Sequence, residues 1–361
     1  MDTSDTADTT TTARLIDVAR KAGVSPATVS RVLNHSGPVT AATRERVQAA
    51  MNALGYVPAA SPIPPEPAYR TLAVFITDIL NPIFAEFLRG IEDEIATQPI
   101  ALQLHNVPEN APQEKRPLSV LARHKAGQHK VDGVIAMASH IEESELIAIH
   151  EQHALPLVVI NRRVNHPAIP SIVVDFEDAA YRSAQHLIGL RHRRIGFLAG
   201  FASAPTSQAR KRGIERALAE VGHTLPAHWH VNCIPSIEGG FQAMSSLLAL
   251  PERPSAVITY NDLLAFGALH ALRSHGLSAP EDMSVVGCDG IALAAHSNPP
   301  LTTIDQPKYK MGRLAMQTLD KLMEGSADSA ASVRGGYTLM ESPLITRGST
   351  AMLDSRGSRM L

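Results

Sequence analysis

The sequence predicts an α/β protein built as two similar lobes, with a small all-α domain ahead of them. Three observations predict it. Short apolar runs alternate with stretches of helical period from residue 71 to residue 348, basic charge is gathered into residues 14–58, and a proline-rich segment divides the two. Buried runs separated by amphipathic helices mark βαβ units, which build parallel sheets with helices on both faces. Nearly 280 residues of this pattern exceed one small domain, hence two lobes.

Residues 1–13 hold three aspartates and a threonine run with no periodic apolar residue, and are expected to form a disordered tail. In residues 14–58, Arg14, Arg20, Lys21, Arg31, Arg44 and Arg46 stand against Asp17 and Glu45, a formal charge of +4 in a chain that nets −2. Any surface for nucleic acid is therefore local to this module. Ile16, Val18 and Ala19 mark a short helix after Thr12, and Gly23 supplies a turn. Ser25 is a good N-cap, with Pro26 at the first helical position. Val29, Val32 and Leu33 line the packing face of that second helix, and a third helix runs from about Thr40 to Gly55. Two short helices joined by a glycine-containing turn make a helix-turn-helix, whose second helix enters the major groove of DNA.

On that second helix Pro26, Ala27, Ser30, Arg31 and Asn34 project away from the packing face. Arg31 can hold a guanine bidentately, while Ser30 and Asn34 can reach bases or phosphates. Pro26 and Ala27 offer only apolar contact, as against a thymine methyl. A plain three-helix bundle has the same periodicity, but the concentrated charge and the adjoining spacer favour DNA.

Five prolines fall within residues 58–67, so 59–70 is expected to be an extended, polyproline-like hinge. The buried strands that follow are expected at 72–76, 100–104, 131–138, 156–160, 171–174, 194–200, 256–260 and 284–289. Phe84, Phe87, Leu88, Ile91 and Ile95 mark one amphipathic helix between them, and Ile214, Ala217, Leu218 and Val221 another. Residues 349–361 lose the pattern and read as a frayed tail.

Composition and motifs narrow the function. No run approaches the 18 or so apolar residues needed to span a bilayer, so no membrane partner is expected. The acidic, threonine-rich start is no secretion signal, and two cysteines 55 residues apart suit a reducing cytoplasm. There is no phosphate-binding GxxxxGK[ST] loop, GxGxxG fingerprint, GxSxG elbow or HExxH helix, so neither a cofactor nor a catalytic residue is assigned. His150 and His153 read as a solvated pair and not a metal site, His228 and His230 as the solvent face of a short strand, and 191–194 as a solvated basic turn. Cys288 reads as a buried, inert thiol. The alternative to a regulator is a cytoplasmic sugar-binding or sugar-processing protein that carries a helical module, for which no nucleophile or acid–base pair is visible.

Two segments carry a family likeness: AGVSPATVSRVLN at 22–34 and TRERVQAAMNALGYVP at 43–58. Together with DILNPIFAEFLRGIE, RIGFLAG, ITYNDLLAFGALHALRSHGL, PEDMSVVGCDG and PPLTTIDQP, they make the chain resemble lactose-repressor (LacI) family transcriptional regulators across roughly 14–348. The resemblance implies an operator-reading domain joined to a periplasmic-binding-protein-like domain. That domain has two Rossmann-like lobes joined by three crossovers. It also implies a homodimer on a pseudo-palindromic operator, repression controlled by a small-molecule effector, and operator contacts from Ser25, Thr28, Ser30, Arg31, Asn34 and Tyr56. A hinge helix whose leucine wedges into the minor groove is usual in the family. Here that position falls at about Pro65, so the hinge is expected to stay non-helical. No heptad repeat marks the C-terminus, which favours a dimer over a zipper-built tetramer.

In two-lobed α/β domains, ligands sit where strand C-termini face the cleft. Polar residues just after apolar runs are Asp78, Asn161, Arg162, Asn261, Asp262 and Asp289, each of which, taken alone, is more often a cap or turn residue. The resemblance weights the ligand reading for Asp78, Asn161, Arg162, Asn261 and Asp289, and adds Phe84, Thr206 and Arg210. This set suits a polyol, a sugar or a sugar acid. Arg162 with Arg210 would favour an anion, which Asp289 would oppose. Pro235 and Cys288 stand where the family often has aromatic residues, so stacking on a flat ligand such as a purine has less support.

Overall fold

The computed structural model describes residues 14–33, 39–56, 69–126, 130–137, 140–325 and 336–353. Tail 1–13 with Thr12, Asn34, residues 59–68 of the expected 59–70 hinge and residues 354–361 lie outside the described residues, and Arg70, the last hinge residue, instead opens the first strand. The chain divides into two compact units, Met1–Ala68 and Tyr69–Leu361.

In the first unit α1 (Leu15–Ala22), α2 (Pro26–Leu33) and α3 (Ala41–Leu54) enclose one core, in which Val18, Ala19, Val29, Val32, Val47 and Met51 are buried. Gly23, at φ +64°, takes the left-handed turn that any side chain would strain. Ser25 caps α2 through its Oγ, which accepts from the Thr28 N–H at 3.2 Å. Thr40 caps α3 in the same way, accepting from the Thr43 N–H at 3.4 Å. The capping and turn residues legible in the sequence thus set the angle between α1 and α2.

The second unit opens with β1 (Arg70–Ile76), α4 (Pro82–Ile95), β2 (Ile100–Asn106), α5 (Pro117–Ala126), β3 (Gly133–Ala136), α6 (Glu143–His153), β4 (Leu157–Ile160) and β5 (Ser171–Val174). It continues through α7 (Phe176–Gly189), β6 (Ile195–Ala199), α8 (Pro205–Ala219), β7 (His230–Asn232), α9 (Ile237–Leu248), β8 (Ala256–Thr259), α10 (Asp262–Ser274), β9 (Ser284–Asp289) and β10 (Thr302–Asp305). It ends with α11 (Lys308–Glu324), β11 (Tyr337–Met340) and β12 (Leu344–Ile345).

The strands form two sheets, ordered β11-β5-β4-β3-β1-β2 and β12-β10-β9-β8-β6-β7. All pairings are parallel except β10 with β12. The chain passes between the sheets after β5, after β10 and after β11, which makes the three crossovers. Both faces of each sheet are covered, as the apolar runs require. On β1, Leu72, Val74 and Ile76 enter one core and Ala73 and Phe75 the other.

All eight expected runs are strands. Four further strands, β7 and β10–β12, carry weaker apolar patterns. β7 has three residues, β12 has two, and β11 exposes Tyr337 and Leu339 at a sheet edge. β10 hides behind threonines whose hydroxyls are satisfied internally; Thr303 Oγ1 donates to Asp262 Oδ1 at 2.6 Å.

Residues 349–353, expected to fray, are instead pinned. Ser349 is fully buried, its carbonyl accepting from the Val285 N–H at 2.8 Å, and the Leu353 N–H donates to the Leu190 carbonyl at 2.9 Å. The segment is held by hydrogen bonds and not by apolar burial, which is why its sequence lacks a pattern. The basic turn at 191–194 is not simply solvated either. His192 is buried, between Ser255 Oγ at 2.9 Å and the Ala351 carbonyl at 3.1 Å. His150 and His153 are half-buried, and the Leu155 carbonyl lies 3.0 Å from His150 Nδ1. His230 stacks on Phe197, with ring centroids 5.7 Å apart, so only His228 is left on the solvent face.

Helices α7 and α8 touch at Gly213, where a Cβ would fall 2.0 Å from the Glu177 carbonyl oxygen. A glycine in an open helix interior costs about 0.5–1 kcal/mol relative to alanine. Here the backbone contact reverses the sign. Gly213→Ala is expected to destabilise the protein by about 1–3 kcal/mol, measured as a lower midpoint in urea denaturation.

Candidate functional site

A cavity of about 200 Å³ opens at the C-terminal ends of the strands in the second unit, lined from both sheets. Asp78 follows β1, Asn106 ends β2, Asn161 follows β4, Tyr260 and Asn261 follow β8, Asp289 ends β9 and Gln306 follows β10. Phe84 enters from α4, Phe176 from the first residue of α7, and Thr206 and Arg210 from α8. The parallel order places these positions together because every such strand delivers its chain end to the same side.

Seven of the eight residues expected to bind effector line this cavity: Asp78, Phe84, Asn161, Thr206, Arg210, Asn261 and Asp289. Arg162 does not. Asn161 adopts φ +66°, and the next side chain leaves the cavity. Arg162 Nη1 donates to the Ile141 carbonyl, and its Nη2 lies 3.8 Å from Glu143 Oε2. Asp262 also points away, accepting from Thr303 Oγ1 at 2.6 Å and from the Ile291 N–H at 2.9 Å.

Cap and cavity roles coincide at several positions. Asn261 Oδ1 accepts from the Leu264 N–H at 3.0 Å and caps α10. Asp78 Oδ1 accepts from the Leu80 N–H at 3.0 Å. Asn161 Nδ2 donates to Gln306 Oε1 at 3.2 Å, while its buried Oδ1 has no partner. Gln306 in turn donates from Nε2 to Asp289 Oδ1 at 2.7 Å. Asp289 stands at φ +128°, a backbone conformation that L-residues rarely adopt. Lys308 Nζ holds that turn, donating to the Asp289 and Gly290 carbonyls, each at 2.8 Å.

Electrostatics follow from burial. Asp289 is 5% exposed. Desolvation and then the neighbouring Asp262 push its pKa well above the carboxylate range, against Arg210 and Lys308. Burial also pushes the Cys288 thiol up to about 11, so it is un-ionised at neutral pH, as expected of an inert thiol. His140, also on the cavity wall, is brought down to about 4 by burial and then by Arg116 and Arg162, so its imidazole is neutral. Among the described lining residues Arg210 is the one guanidinium or ammonium, and Asp78, Glu109 and Asp289 are the carboxyl groups.

Sequence reasoning missed Phe176, Tyr260, His140, Glu109, Phe201 and Gln306, all of which line the cavity. Tyr260 ends the expected run at 256–260, so the rule that found Asp78 could have found it; Phe176 is apolar and Gln306 follows β10, which the apolar runs did not announce. The expected shortage of aromatic rings is corrected. Phe84, Phe87, Phe176, Phe201 and Tyr260 supply rings from other elements, although Pro235 does line the wall.

In the first unit Ser25, Pro26, Ala27 and Arg31 are exposed on α2, and Thr28 and Ser30 are half-exposed. Ser25 Oγ and Thr28 Oγ1 lie 2.9 Å apart. The half-buried Tyr56 packs against the helical core. Val29 and Val32 hold the opposite face of α2 inside, so the face carrying Arg31 is the one presented outward.

Residues 14–59 match the model of the lacI family of bacterial regulatory proteins, and residues 184–350 match that of the periplasmic binding protein-like domain. The HTH-type transcriptional repressor CytR of Escherichia coli K12 is 35% identical over 347 residues, which cover 95% of this chain and 98% of that protein. The repressor PurR of Photobacterium profundum is 33% identical over 308 residues, covering 85% and 91%. Among solved structures, the complex of the transcriptional regulator CelR with cellobiose superposes with a TM-score of 0.67 at 28% identity, covering 93% of this chain and 99% of that one. The lac repressor dimer bound to operator and the anti-inducer ONPF gives 0.65 at 25% identity, covering 94% and 100%. With a basic helix-turn-helix ahead of a two-lobed domain that holds a cavity at its strand ends, this chain belongs to the LacI family of ligand-controlled, DNA-binding transcriptional repressors.

Proposed function

We propose that the chain acts in the cytoplasm as a homodimeric repressor, binding a pseudo-palindromic operator through α2 and sensing a small polyhydroxylated effector, of the sugar class, in the cavity. It acts by binding and not by turnover. The observation that carries this reading is the ring of hydrogen-bonding groups Asn161, Arg210, Asn261, Asp289 and Gln306 around one cavity formed by both lobes. Such groups match vicinal hydroxyls, and the lining rings suit the apolar face of a sugar. Effector bound between the lobes favours one inter-lobe geometry, and a coupling of about 1–3 kcal/mol changes operator affinity about 5–150-fold. CelR with cellobiose and the Enterococcus faecium regulator with bound ribose support the ligand class by analogy.

The test is a thermal-shift screen of the full chain against sugars, polyols, sugar acids, nucleosides and purines, followed by operator-binding anisotropy with each hit. A sugar at 100 times its Kd is expected to add about 2.7 kcal/mol of stability and to change operator affinity. Hits confined to purines or nucleosides would replace the sugar reading.

A further inference from the structure

Arg210 is the charged centre of the cavity, and its surroundings restrict what it can do. The guanidinium is only 3% exposed and lies between two rings, with its carbon 4.0 Å from the centroid of Phe176 and 4.3 Å from that of Tyr260. Both rings sit on rigid turns. Phe176 opens α7 directly after Asp175, whose Oδ1 accepts from the Glu177 and Asp178 N–H groups at 3.1 and 3.0 Å. Tyr260 lies flat over Gly200, where a Cβ would fall 2.9 Å from the ring, and its hydroxyl is 3.0 Å from Thr206 Oγ1.

Two of the three guanidinium nitrogens are already engaged. Nη1 donates to the Thr206 carbonyl at 2.9 Å and Nη2 to Cys288 Sγ at 3.4 Å. Nε is buried without a partner. A guanidinium recognises carboxylate or phosphate best when it can turn a free two-nitrogen edge onto two oxygens, and here both Nη atoms already donate one N–H each and the plane is held between two rings. Arg162, the second cation expected in the pocket, points out of it. An entering anion would meet Asp78 and Glu109 with a single clamped cation to offset them.

We infer that Phe176 and Tyr260 are positioning residues that fix the plane of Arg210, and that the site, with one clamped cation against two acidic lining residues, takes a neutral ring compound in preference to its acid or phosphate. The effector offers an acceptor to Arg210 Nε and a donor to Asn161 Oδ1, which with the ring nitrogens of His140 are the buried partnerless polar atoms on the described lining residues. This rests on the sugar-class reading above and removes the sugar acids from it. Tyr260 acts through Arg210, holding the plane in which its remaining N–H groups point.

The test uses the full chain and matched pairs: glucose against gluconate and glucose 6-phosphate, galactose against galacturonate, and ribose against ribose 5-phosphate, by thermal shift and then calorimetry. The neutral member of a binding pair is expected to bind at least about tenfold more tightly than its anion. Tyr260→Leu should weaken the neutral ligand about tenfold and narrow the neutral-to-anion ratio, whereas Tyr260→Phe, which keeps the ring, should stay within about threefold of the parent. Phe176→Leu, from the opposite face, should narrow the ratio in the same sense, and unchanged operator binding by each variant reports correct folding. An anion that binds as tightly as its neutral partner, or a ratio unmoved by Tyr260→Leu and Phe176→Leu, overturns the inference while leaving the sugar-class reading intact. Failure of every pair to bind a chain that still binds operator overturns both.

Discussion

Arg210→Ala is expected to lower effector affinity roughly 100-fold, within the range for a lost charge-assisted hydrogen bond in a buried site. The substitution removes a guanidinium that lines the cavity and the cation packed between Phe176 and Tyr260, and it strips the Thr206 carbonyl and Cys288 of their donor. Operator affinity without effector should remain within about twofold, because Arg31 and its neighbours belong to a separate compact unit. Calorimetry with the best ligand and anisotropy with operator DNA measure the two quantities on one preparation. Unchanged effector affinity would place the ligand elsewhere.

The same cluster makes stability depend on pH in a definite sense. The folded state raises the pKa of Asp289, so it binds that proton more strongly than the unfolded chain does. Its contribution is therefore fully present below the ordinary carboxylate pKa and is lost as pH rises through the raised value. Removing Arg210 takes away one of the cations that oppose the shift, so the stability of Arg210→Ala should fall more steeply with rising pH than that of the parent.

Arg31→Ala is expected to cost about 1–3 kcal/mol of operator affinity and to relax base preference at one position of each half-site. Arg31 is exposed on the outward face of α2, whose inward face is fixed by Val29 and Val32. Its neighbours make the effect large. Pro26 and Ala27 carry no side-chain donor, so few other groups on this face can read a base edge by hydrogen bonding. Selection from a randomised operator library measures the preference. A weaker but equally selective variant would mean that Arg31 meets a phosphate and not a base.

Much of this architecture was legible because local chemistry and global fold agree. Gly23, Ser25, Pro26 and Thr40 announce the helix boundaries they form, since turns and caps depend on residues a few positions apart. Seven of the eight apolar runs announce their strands because a strand covered on both faces must be apolar throughout, while β2 lies at a sheet edge and is only partly buried. The family resemblance brought Phe84, Thr206 and Arg210 to the cavity, and the strand-end rule brought Asp78, Asn161, Asn261 and Asp289. The rule failed at Arg162, which is engaged by the Ile141 carbonyl and Glu143, and at Asp262, which accepts from Thr303 and Ile291.

By itself the sequence determined the family, the division into a basic helical unit and a two-lobed unit, and several of the strand ends that face the cavity. Periodicity, capping and charge are short-range properties that the chain displays in order. Only the tertiary structure decided that β10 completes a sheet through satisfied threonines, that Ser349 through Leu353 close an edge, and that Phe176, Tyr260 and Cys288 enclose Arg210. Those relations join residues 34 to 163 positions apart. Their energies come from burial and directional hydrogen bonds that exist only once the lobes have folded, so no local pattern along the chain can carry them.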